Sequence, residues 1–110
     1  MICDRYDVVV VPFPFSEIPV IKKRPVFVLS GRQFNDENNN TLVGMITTAK
    51  KTAWSSDINI NNLQSAGLKV ECVARWRLVT VPNDLILRKL GHIDQLDQIA
   101  FEQQRIRLLM

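Results

Sequence analysis

The sequence predicts a mainly β fold, a small barrel or sandwich of five or six short strands with one C-terminal helix. Three observations predict it. Compact runs rich in β-branched residues recur along the chain. Proline, glycine and asparagine separate them at short intervals. The apolar period turns helical only at the end.

Residues 7–11 carry four consecutive valines and form the first strand. Pro12 and Pro14 end it near Phe13 or set it at a sheet edge. Residues 16–23 read as a loop with Pro19 in its middle. Residues 25–30 are a second strand, broken by Gly31. The polar stretch 33–40, with Asn38, Asn39 and Asn40 in a row, reads as a surface loop. A third strand spans 41–48. A polar stretch, 49–56, leads to 57–60, where Ile58 and Ile60 alternate with polar neighbours. Asn61, Asn62 and Gly67 mark a turn region. Two further strands are expected at 68–74 and 77–81. Pro82-Asn83-Asp84 begins a turn or helix, and a short apolar-basic segment, 85–90, closes at Gly91. In 94–110, Leu96, Ile99, Ala100, Ile106 and Leu109 fall at helical spacing, with Gln103 as a gap. Asp94 is the expected N-cap. Asp97 suits the positive end of this helix, and Arg105 and Arg107 the negative end.

No repeat or linker interrupts the chain, so residues 1–110 are expected to form one domain. The composition is 46% hydrophobic and 23% charged, enough to bury a core. The net charge of +3 and pI near 9.1 are compatible with a polyanionic partner. Two cysteines are too few for a disulfide scaffold, although one bridge between them stays open. With one histidine, they make no convincing metal set, and no cofactor is expected. No signal segment or bilayer-length apolar run is present, so a cytoplasmic protein without membrane contact is expected.

Three constellations could carry chemistry. Lys22-Lys23-Arg24-Pro25 concentrates positive charge at a loop-to-strand junction. The Arg24 fork can hold a phosphate by two hydrogen bonds, while Pro25 pushes Arg24 toward extended backbone. Thr47-Thr48 ends the third strand and is followed by Lys50 and Lys51, a common mix of phosphate ligands. Arg75-Trp76-Arg77 could combine base stacking with phosphate contacts. Strand alternation instead sends Trp76 to the core and both arginines to the other face. Glu17 is a candidate base or ion-pair partner of Arg24, and His92 a weaker candidate base. Trp54, in a polar loop, suits an anchor or a contact with a ligand or subunit. Taken singly, a cationic run usually keeps a loop solvated and a strand threonine usually meets backbone.

The order of segments carries more. Val-Pro-Phe-Pro-Phe-Ser after the valine strand, then Lys-Lys-Arg-Pro-Val-Phe-Val-Leu-Ser, then Met-Ile-Thr-Thr, resembles the MazF/PemK family of toxins from type II toxin–antitoxin systems. The segments 78–81 and 85–91 are similar to that family's final strand and the short helix after it. The resemblance implies a small twisted SH3-like β-barrel of the CcdB/MazF/PemK toxin type with a C-terminal helix, paired as a homodimer. It implies metal-independent cleavage of single-stranded RNA by attack of the 2′-hydroxyl, leaving 2′,3′-cyclic phosphate and 5′-hydroxyl ends. It also implies an acidic cognate antitoxin covering the same surface, with operator DNA reached only through that antitoxin. The family's arginine before proline maps to Arg24, and its strand-closing threonine to Thr47. Glu17 completes the expected catalytic set. Lys22, Lys23, Thr48, Lys50, Lys51, Arg75 and Arg77 are the expected RNA contacts.

The sequence departs from the family in three places. Tyr6-Asp7 stands where Gly-Asp is usual, 20–23 lacks the usual glycine, and Ala74-Arg75-Trp76-Arg77 lacks the usual carboxylate. The same barrel type also hosts gyrase poisons and could serve as a non-catalytic binding module.

Overall fold

The valine run lies inside the sheet, not at its edge. In the computed structural model, which describes residues 1–13, 22–48 and 53–110, strand β1 (Asp7–Phe13) sits between two neighbours. Val8, Val9, Val10 and Val11 are all buried, which explains an unbroken apolar run in place of alternation. Pro12 is tolerated because the ladder on one side of β1 already ends at Val10.

Among the described residues, six antiparallel strands follow the order β4-β5-β3-β2-β1-β6. They are β1, β2 (Lys22–Val28), β3 (Asn40–Thr47), β4 (Ile58–Asn59), β5 (Val73–Pro82) and β6 (Arg88–His92). Alternation divides their side chains between two cores. Val8, Phe27, Ile46, Ala74 and Trp76 pack toward the C-terminal helix α3 (Gln95–Leu108) and its Phe101. Val9, Val11, Val26, Val28, Val43 and Val81 pack on the opposite face with Cys3 and Ile86. The mainly β fold with a C-terminal helix is therefore as expected, a curled sheet of the barrel type.

Trp76 is in the core as alternation requires, 5.4 Å from Phe27 and 6.0 Å from Phe101 between ring centroids. Cys3 and Cys72 are free, buried in different cores, and burial raises both thiol pKa values. Among the described residues no helix is long and apolar enough to cross a membrane.

Several expected boundaries differ. The stretch read as a surface loop contains α1 (Arg32–Asn38). Its inward residue is Asn35, fully buried, whose amide donates to Cys3 O at 2.9 Å and Ser30 O at 3.2 Å. A helix that docks through an amide carries no apolar periodicity to read. The turn region holds the short α2 (Leu63–Ala66), capped by Asn62 and closed by Gly67 at φ 73°. The two strands expected at 68–74 and 77–81 are one strand, β5, which starts at Val73 and runs through Trp76. Residues 85–91 do not form the short helix that the resemblance implied. A 3-10 turn (Asn83–Leu85) leads into β6, which pairs with β1 and covers what would otherwise be its open edge.

The C-terminal helix forms where its spacing predicts and is capped by Asp94, but its apolar stripe faces outward. Leu96 is 77% exposed, Ile99 58% and Ile106 59%. The buried side carries Phe101 and Asp97, whose carboxylate accepts from the N–H groups of Asn61 and Asn62. Tyr6 anchors the same helix by donating its hydroxyl to Glu102.

Candidate functional site

Proline chemistry opens the site. The β2–β3 ladder ends at Val26 paired with Met45, next to Pro25, which has no N–H to give. Carried two residues further, the register would set Arg24 opposite Thr47. Beyond the last pair lies a groove of about 420 Å³. Lys22, Lys23, Arg24 and Pro25 form one wall, and Ile46, Thr47 and Thr48 the second. Leu68, Lys69, Val70 and Cys72 close it from the segment before β5. A second cavity of about 370 Å³ shares Thr47, Thr48 and Cys72 with the first.

The groove is electropositive. Lys22, Lys23, Arg24 and Lys69 are exposed around it. Among the described residues none of these four is in an ion pair. Ammonium and guanidinium groups beside threonine hydroxyls suit an oxyanion such as a phosphate.

Beside this groove, on β5, Arg75 donates from Nε to Asp57 Oδ1 at 3.1 Å and from Nη2 to Asp57 Oδ2 at 3.0 Å. Both side chains are only 12% exposed. The Arg75 hydrogen bonds hold the Asp57 carboxyl below its ordinary pKa. The guanidinium also lies 5.6 Å from the centroid of the Trp54 ring. Arg75 thus has a carboxylate beside it, from the residue preceding β4.

His92 is elsewhere. Its Nδ1 is 2.8 Å from Asp7 Oδ1, which Lys89 also approaches at 3.1 Å. Asp7 pairs with His92 at the start of β1, and Arg24 pairs with Val11 near its end. Four residues of strand separate them, about 13 Å.

The structure thus brings Arg24, Thr47, Thr48, Lys22 and Lys23 to one groove. Arg75 is turned to Asp57, and Arg77 is exposed on the same face two residues on. Glu17, Lys50 and Lys51 lie outside the described residues. Reading 68–74 as a strand concealed the third wall, including Lys69. The Asp57–Arg75 pair joins residues far apart in sequence, and no local pattern announces it.

The family of PemK-like, MazF-like toxins of type II toxin–antitoxin systems matches residues 4–109. The chain belongs to this family. Solved MazF structures share its fold. MazF from Deinococcus radiodurans superposes with a TM-score of 0.76 at 15% identity, covering 99% of this chain and 97% of that one. The Mycobacterium tuberculosis toxin MazF-mt6 gives 0.71 at 18% identity, covering 89% and 90%. An endoribonuclease in complex with its cognate antitoxin from Mycobacterial species gives 0.75 at 11% identity, covering 98% and 93%. At these identities the likeness shows the fold. No curated protein sequence matches the chain. The MazF/PemK fold expected from the order of segments is therefore present.

Proposed function

We propose that this MazF/PemK toxin is a metal-independent endoribonuclease acting on single-stranded RNA. The supporting observation is the meeting of Arg24 and Thr47 at one electropositive groove. The 2′-oxygen attacks the adjacent phosphorus, the P–O5′ bond breaks, and the products are a 2′,3′-cyclic phosphate and a 5′-hydroxyl. Arg24 neutralises charge growing on the phosphoryl oxygens, because its guanidinium stays protonated. Thr47 donates its hydroxyl to the same group and fixes its position. Glu17 takes the proton from the 2′-hydroxyl, a task for which Arg24 is unsuited, and the leaving 5′-oxygen takes a proton from solvent water. Lys22, Lys23, Thr48, Lys50, Lys51 and Arg77 hold neighbouring phosphates, with Lys69 added from the third wall. Arg75 acts through Asp57 as a structural support.

The same reading assigns the partners. An acidic antitoxin complements the groove and blocks it, and operator DNA is engaged only through that antitoxin. Leu96, Ile99, Gln103, Ile106 and Met110 repeat at a coiled-coil-like interval along the outer side of α3 and its end. This stripe supports pairing of two copies. A cytoplasmic setting follows from an RNA substrate.

The test is incubation of the pure protein, with chelator present, with single-stranded RNA and analysis of the new ends. Cyclic-phosphate ends are expected. Intact RNA together with inhibited DNA supercoiling would replace this reading with gyrase poisoning.

A further inference from the structure

Trp54 is 44% exposed and yet firmly placed. Its backbone N–H donates to Asp57 Oδ2 at 3.1 Å. Arg75 lies over its ring, and Asp57 in turn fixes Arg75. The location of this assembly says what it could meet. Arg75 pairs directly with Met45, and Thr47 with Val73. Arg75 and Thr47 are therefore diagonal neighbours on one face of the sheet, about 7–8 Å apart. Arg24 shares that face, two residues before Val26, the partner of Met45 on its other side. The Arg75 charge is offset by Asp57, whereas Arg24 and the nearby lysines offer theirs to a ligand. A phosphate seated at Arg24 and Thr47 would thus share one face of the sheet with Arg75 and the indole it lies over.

We propose that Trp54 is a nucleobase-stacking residue of the substrate site, held ready by the Asp57–Arg75 pair. This rests on the RNA-cleaving reading and adds a determinant of which nucleotides are accepted. The guanidinium sits 5.6 Å from the indole centroid, and a base would stack on the exposed surface of the same ring, the contact that single-strand binders make with exposed aromatics. An acidic protein partner would be drawn to the lysines but has no comparable need of a rigid, guanidinium-backed ring.

Fluorescence tests this directly, because Trp54 is exposed while Trp76, the other tryptophan, is buried and reports folding. The probes are short 2′-O-methylated oligoribonucleotides, which cannot be cut, and inorganic polyphosphate, which carries charge without bases. The oligonucleotides are expected to quench the wild-type protein and polyphosphate is not. Trp54→Phe abolishes the quench and keeps affinity within a few-fold. Trp54→Ala weakens oligonucleotide binding about 5- to 100-fold. Cleavage of RNA by the wild type with no Trp54-dependent quench, or with unchanged affinity in both Trp54 variants, overturns stacking and leaves the nuclease reading standing. A quench without any cleavage supports stacking and overturns the nuclease reading instead. A quench that depends on protein concentration and not on RNA assigns Trp54 to a contact between copies and overturns the proposal.

Discussion

Arg75 grips Asp57 through both carboxylate oxygens, and this pair ties the start of β5 to the residue preceding β4. Asp57→Asn keeps the shape and removes the charge. It is expected to lower unfolding stability at neutral pH by about 1–3 kcal/mol, because a mostly buried guanidinium loses its counter-ion. The pH dependence has a definite sign. The Asp57 carboxyl titrates below its ordinary value of 3.8, chiefly because Arg75 donates to it. The pair's contribution is therefore complete above that value and is lost as pH falls through the lower, folded pKa. Urea unfolding of both proteins between pH 3 and 7 checks this. A difference that stayed constant down to pH 3 would contradict it.

Phe27 and Gly44 are paired across β2 and β3, and the ring occupies the space of a side chain at 44. A Cβ there would lie 2.2 Å from the ring. Gly44→Ala is expected to cost about 1–3 kcal/mol through forced displacement of Phe27, which also touches Trp76 and Phe101. Thermal unfolding measures it. Wild-type stability would show that the aromatic cluster yields more easily than its packing implies.

Asn35 joins three parts of the chain from a fully buried position. Its amide serves Cys3 and Ser30, and its backbone oxygen accepts from Asn83 at 2.7 Å. Asn35→Leu fills the space but leaves those carbonyls unmet. A loss of about 2–3 kcal/mol is expected in denaturant unfolding. A neutral substitution would mean that water replaces the amide.

Ile99, exposed on α3, sits in the outward apolar stripe. Placing a charge there opposes burial against a second copy. Ile99→Glu is expected to convert a dimer to monomer in sedimentation analysis without changing the far-ultraviolet spectrum. An unchanged dimer would place the contact on another surface.

The fold was legible where burial sets a pattern. Four adjacent valines announced a strand, and helical spacing announced α3. The direction in which α3 faces was not legible, because its buried side holds Asp97 and Phe101 while its apolar stripe points to solvent. α1 was hidden for a related reason, since it docks through Asn35. Strand β6 was misread because 85–90 alternates poorly and its pairing with β1 is non-local. Arg24 and Thr47 were singled out by the order of segments, and both line the groove. Their convergence depends on Pro25 ending a ladder between strands, which no local stretch of sequence displays. Lys69, Trp54 and Asp57 reach their places only through tertiary packing.

The proposed role of Arg24 is to stabilise charge on a phosphate held with Thr47. It is tested most directly by cleavage of single-stranded RNA with the purified wild type, Arg24→Ala and Arg24→Lys, each confirmed as folded by its thermal transition. Wild-type protein should release 2′,3′-cyclic phosphate ends. Arg24→Ala should lose at least about 10²–10³ in rate. Arg24→Lys should recover part of that loss, because it restores the charge without the fork. Full cleavage by folded Arg24→Ala would contradict the account.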